Sequence, residues 1–244
     1  MTVIEIAVQD VSGARIALEE GADRVELCTA LGATGGLTPS LATIESVVSV
    51  GIPTHVLIRS RPGSFVYTPD DIKVMARDIH VALAAGARGV VIGALHTDNT
   101  MNVAALEVWM QAVHEAGKHL TVRPEVTFHR AFDVVAEPVS ALQQLADLGV
   151  DRVLTSGGAP HVGEGLAALD RLVHMGTRVQ IQAGGGVTPH IIPSLKTVGV
   201  HGIHVSAKEI VADSGLTGPG GGAPGGLEVT SRERVREIVR LVRS

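Results

Sequence analysis

Aromatic residues are scarce, with three Phe, one Trp and one Tyr in 244 residues. A core of this size must therefore be assembled from Val, Ile, Leu and Ala, and the first two suit strands buried on both faces, as in parallel sheets. Cysteine occurs once, at Cys28. That rules out an intramolecular disulfide and makes a reducing, cytoplasmic setting the expectation. Positive charge is also in short supply: the formal net charge is −5, and no run of Lys or Arg occurs. A general nucleic-acid or membrane-surface role is therefore not expected. Nothing reads as a signal peptide, and no apolar run is long enough to span a bilayer. The Gly-x-Gly-x-x-Gly of a dinucleotide fold is missing after the first apolar run, which argues against that class.

What the chain does have is alternation. Eight short apolar runs lie near 3–8, 24–28, 54–59, 89–94, 126–132, 152–155, 178–183 and 202–206. Between them, helical patterns occupy 12–20, 41–50, 69–85, 102–116, 138–148, 161–175 and 189–198. A last helix at 232–242 carries Val235, Ile238, Val239 and Val242 on one face. Glycines at 21, 86 and 149 stand where helices should exit, and Pro39, Pro69 and Pro189 where they should begin. Strand and helix in strict alternation imply right-handed crossovers and a parallel sheet. Eight repeats in about this length predict a single-domain α/β fold, a (β/α)8 TIM-type barrel over 1–244. The stretch 214–226, dominated by Gly and Pro, is expected to form a mobile loop before the last helix.

Several of the expected strands carry ionisable groups that a core strand cannot desolvate cheaply. Glu5 lies in the first and Glu26 and Cys28 on one face of the second. Arg59 and Arg61 close the third, and His129, Arg130 and Asp133 the fifth. Thr155 and Ser156 end the sixth, while His204 and Ser206 fall in the eighth. Carboxyl ends of strands meet at one mouth of a barrel, where such folds do their chemistry. In this reading His129 moves protons with Glu26 or Asp133. Arg59, Arg61, Arg130 and Ser156 grip an anion with the loop Gly184, Gly185 and Gly186. Arg59 and Arg130 are also the expected counter-charges of Glu5 and Glu26. Lys208 is the only lysine placed for a Schiff base, so a lysine-dependent aldolase is disfavoured.

Taken together, the chain resembles the CutC copper homeostasis family. The matching pieces are Glu26-Leu27-Cys28, Gly35-Gly36-Leu37-Thr38-Pro39-Ser40, Ile58-Arg59-Ser60-Arg61-Pro62 and Phe65-Val66-Tyr67. They continue with Gly93-Ala94-Leu95, Thr127-Phe128-His129-Arg130-Ala131-Phe132-Asp133, Leu154-Thr155-Ser156-Gly157 and Gly184-Gly185-Gly186. The resemblance implies a TIM-type barrel, a cytoplasmic setting, an association with copper tolerance, and Cu(I) as ligand with Cys28 as its donor. Ser60 departs from a Pro common in the family, as does the 96–102 loop from a usual Asp-Gly turn. Two readings stand open at this level. One is a cytoplasmic copper-binding protein. The other is an enzyme acting on a small anionic or phosphorylated molecule, and an apolar helix face would support a homodimer in either case.

Overall fold

A computed structural model describes residues 2–212 and 226–244. The expected 214–226 loop therefore lies outside the described residues, apart from Gly226. Eight parallel strands close into a barrel in chain order: β1 (Val3–Val8), β2 (Arg24–Leu27), β3 (Thr54–Leu57), β4 (Gly89–Ile92), β5 (Glu125–Phe128), β6 (Arg152–Thr155), β7 (Gln180–Ala183) and β8 (Gly202–Val205). Closure is made by β1, which pairs with β2 on one side and β8 on the other. Around the barrel run α1 (Val11–Glu19), α2 (Leu31–Thr34), α3 (Leu41–Val48), α4 (Pro69–Ala84), α5 (Val103–Gly117), α6 (Pro138–Leu148), α7 (Leu166–Val173), α8 (Ile192–Val198) and α9 (Arg232–Arg243). No helix among the described residues is long and apolar enough to cross a membrane.

Local chemistry explains the boundaries. Helix α4 starts with a reciprocal cap, in which the Thr68 hydroxyl accepts from Asp71 N and the Asp71 carboxylate accepts from Thr68 N, with Pro69 in the first turn. Gly149 ends α6 with a φ of 85°. The helix-facing sides of the strands, including Ile4, Ile6, Val25, Val56, Val90, Val126 and Ile181, are fully buried and merge with the inner faces of the helices into the main core. Trp109 on α5 is completely buried, and its indole N–H donates to Ile72 O on α4 at 3.1 Å.

Three local expectations change. Strand β5 stops at Phe128 rather than 132, because Ala131 N donates to the His129 imidazole and turns the chain into a 3-10 helix, Arg130–Val134. Helix α7 begins at Leu166, not 161. Beyond β8, an antiparallel hairpin pairs β9 (Lys208–Val211) with β10 (Leu227–Thr230). Each of these strands is four residues long, and its partner lies far along the chain, so no local pattern marks the pair.

Candidate functional site

In a barrel the inward side chains stack in layers, each supplied by alternate strands. Working through the strand registers gives four consecutive layers from the middle of this barrel to its mouth. Glu5, His55, Thr127 and Gln182 form the first; Glu26, Val91, Leu154 and His204 lie above. Next come Ala7, Leu57, His129 and Gly184, and then Cys28, Gly93, Ser156 and Ser206. Branched apolar residues normally fill these layers. Here carboxylates, imidazoles and amides take much of the space, and the residues above Glu26 and His204 include the small Ala7 and Gly184.

Glu5 is the hub. One oxygen accepts from Arg24 Nε at 2.5 Å, and the other takes Gln182 and stands 2.7 Å from His204 Nδ1. Burial alone would raise this carboxyl, but Arg24 and His204 outweigh it and hold Glu5 well below the usual range. The counter-charge expected from Arg59 or Arg130 is thus supplied by Arg24, whose place two residues before Glu26 puts it on the same inward face. Glu26 has no such partner. Its buried Oε2 makes no hydrogen bond among the described residues and lies 3.8 Å from His204 Nδ1. Burial pushes Glu26 up to about 7; His204 pulls against that rise, and negative Glu5 adds to it. For His204 itself, burial opposes protonation, but Glu26 and Glu5 win and raise it. Glu26 is therefore a carboxyl that titrates near neutral pH, 3.8 Å from an imidazole whose Nδ1 is held by Glu5.

His129 behaves in the opposite way. Burial, with Arg59 nearby, drives it down to about 3, so the ring is neutral at neutral pH and holds no transferable charge. Its Nδ1 accepts from Ala131 N at 3.1 Å, which places the ring proton on Nε2. That Nε2 is buried and has no partner among the described residues. Gly93 makes room for the ring, since a Cβ there would lie 2.5 Å from His129 Cε1, and Phe65 packs on it at 4.7 Å. Asp133, one of the two expected proton partners of His129, instead takes Arg130 Nε at 2.7 Å, Thr155 Oγ1 at 2.5 Å and Ser156 N at 2.9 Å. The reason is direction: the 3-10 turn that begins after His129 carries Asp133 toward β6.

The remaining expected residues divide between the two halves of the rim. Arg130 also donates to Ser156 Oγ at 3.1 Å, and its guanidinium lies against Gly185. Arg59 donates to Thr34 O, Gly36 O and Gly63 O, so it clamps two loops. Arg61 pairs with Asp71 at 3.1 Å, donates to Val66 O and stacks on Tyr67. These contacts leave Arg59 and Arg61 few donors for an anion, whereas Arg130 keeps an exposed edge. Lys208 pairs with Glu228 of β10 at 2.6 Å.

Cys28 does not meet the requirements of a Cu(I) site. Its neighbours include Leu57, Val91 and Leu31, and among the described residues its Sγ reaches only Val8 O, at 3.9 Å. Burial, helped by Glu26 and Glu228, pushes the thiol far up, so thiolate is scarce. A Cu(I) site needs two or three soft donors, and the one cluster of metal-capable groups among the described residues is Glu5, Glu26 and His204, without the thiol. Of the axial network, His204 is conspicuous in the sequence as a polar residue of the eighth strand, whereas Arg24, His55 and Gln182 are not. The signal was there: Arg24-x-Glu26-x-Cys28, Thr127-x-His129 and Gln180-x-Gln182 repeat polar residues at the two-residue strand period.

These features define a single-domain (β/α)8 barrel with a charged axis beneath a polar C-terminal mouth. The chain belongs to the CutC family, whose model matches residues 2–209. A CutC family protein of Agrobacterium fabrum (strain C58 / ATCC 33970) is 39% identical over 250 residues, covering 98% of this chain and 94% of that one. Another, from Histophilus somni (strain 2336), is 41% identical over 208 residues, covering 84% of this chain and 82% of its own. Among solved structures, a CutC protein of Streptococcus agalactiae, named for copper homeostasis, superposes with a TM-score of 0.73 at 29% identity, covering 84% of this chain and 99% of that one.

Proposed function

We propose that the protein is an enzyme that moves a proton on a small anionic substrate bound in the barrel mouth. The observation that carries this reading is Glu26: a buried carboxyl with an unpartnered oxygen, raised to about 7, 3.8 Å from His204. A purely structural carboxyl in this position would be paired and ionised, as Glu5 is. In the proposed roles, Glu26 takes or returns the proton, and His204, held by Glu5, supplies charge beside it. His129 Nε2–H donates to the substrate oxygen that gains charge, as a neutral donor that can be aimed without changing its own protonation. Arg130 anchors the anion. Proton transfer beside a carbonyl is the reaction class this set suits.

The test is a metabolite library screened by thermal shift, followed by NMR of the hits in deuterated solvent. The native protein should exchange a carbon-bound hydrogen of a bound hit for deuterium. Glu26→Gln should bind the hit and lose the exchange. Equal exchange rates in the two proteins would remove Glu26 from the mechanism.

Copper binding is the competing reading, supported by the family name; the lone Cys28 thiol also fits a cytoplasmic setting. It predicts that Cu(I), titrated under reducing conditions, binds the native protein more tightly than Cys28→Ser. Equal affinities would exclude a Cys28 site.

A further inference from the structure

We infer that the loop after β7, together with Arg130 and His161, is a binding site for a phosphoryl group, so that the substrate of the proposed enzyme is a phosphorylated metabolite. This rests on the reading of the mouth as an anion-binding site and adds the identity of the anion. Arg130 is a fixed guanidinium, held through Nε by Asp133 at 2.7 Å and through Nη2 by Ser156 Oγ at 3.1 Å. Its Nη1 makes no hydrogen bond among the described residues, and 42% of its side chain is exposed. A Cβ at position 185 would lie 2.8 Å from Cζ, 2.9 Å from Nη1 and 3.0 Å from Nη2. Those near-equal distances mean that the flat of the guanidinium rests on Gly185. At position 186 a Cβ would lie 2.7 Å from His161 Nδ1.

Two adjacent glycines, both at positive φ, thus lie under two nitrogen-bearing side chains, Arg130 from the turn after β5 and His161 from the loop after β6. His161 is held there because Val162 N donates to Gly185 O at 2.8 Å. The amide of Gly184 is used by Thr155 O at 3.0 Å, but those of Gly185 and Gly186 donate to nothing among the described residues. A guanidinium edge, an imidazole and two free amides exceed what the two oxygens of a carboxylate need. They suit the three peripheral oxygens of a phosphoryl group. The carboxylate in this cluster, Asp133, lies on the Nε edge of Arg130 and also accepts from Thr155 Oγ1, Ser156 N and Gly158 N, so it does not compete for the free edge.

The experiment titrates inorganic phosphate into the isotope-labelled full chain, with acetate at equal ionic strength as control. Phosphate, and not acetate, should shift the amide signals of Gly185 and Gly186. Arg130→Gln and His161→Asn should each weaken phosphate binding by about tenfold. His161 is exposed, so its variant keeps the test decisive if Arg130→Gln fails to fold. Phosphate affinity unchanged in His161→Asn, or equal shifts from acetate, would overturn the assignment. Glu26→Gln should bind phosphate like the native protein. Intact phosphate binding without any proton exchange would then count against the proton-transfer reading alone, and the reverse result against the phosphoryl site alone.

Discussion

Glu26 and His129 occupy successive layers of the same barrel, yet burial moves them in opposite functional directions. Desolvation disfavours the charged form of each, so it brings a carboxyl up to neutral pH and takes an imidazole away from it. Two predictions follow from the signs. Between the ordinary carboxylate pKa of 4.5 and about 7, folded Glu26 holds a proton that the unfolded chain has released. Native stability therefore loses ground as pH rises through that window, and Glu26→Gln should gain on the native protein between pH 4 and pH 8 in urea unfolding. A constant difference across that range would refute the shift. His129 and His55, down at about 3 and about 4, have the opposite linkage. The unfolded chain takes up protons below pH 6.5 and the folded one does not, so stability should fall as pH drops from there. Nitrogen NMR should find His129 neutral with its proton on Nε2 at pH 5; a charged ring would contradict the geometry.

At the scale of elements, short strands hold the chemistry and helix caps hold the strands in place. Thr68 joins the third strand's loop to α4 through its reciprocal cap with Asp71, and Asp71 also receives Arg61. Thr68→Ala should cost about 1 kcal/mol in chemical denaturation. It should also loosen Arg61, which a crystal structure of the variant would show. The residue after β4 contributes through an absence: Gly93 leaves the space that His129 fills. Gly93→Ala should displace the ring and abolish turnover of any substrate found, while far-ultraviolet circular dichroism stays native. Unchanged turnover would mean that the ring has room to move.

For the whole molecule, Glu5 joins β1, β2, β7 and β8 across the barrel axis, on both sides of the seam where the sheet closes. Arg24→Met should destabilise the fold by about 3–5 kcal/mol, because it leaves a buried carboxylate without its main counter-charge. A loss below about 1 kcal/mol would show that His204 and Gln182 suffice. The architecture was legible in advance, since eight apolar runs alternating with helical ones state a local periodicity that at this length favours a closed parallel barrel over an open doubly wound sheet. Much of the rim was legible too, because charges at strand ends are costly enough to be conspicuous. Pairing was not. Which arginine meets Glu5, whether Asp133 faces His129 or Arg130, and whether Cys28 has soft neighbours depend on register and on the 3-10 turn after His129. Strand period and composition by themselves determined the barrel and the inward faces. The tertiary structure alone decided which of those faces touch, and with that which carboxyl is ionised, which imidazole stays neutral and which cation is left with an open edge. A pKa or a free donor is a property of the few ångströms around a group, and those neighbours come from other strands.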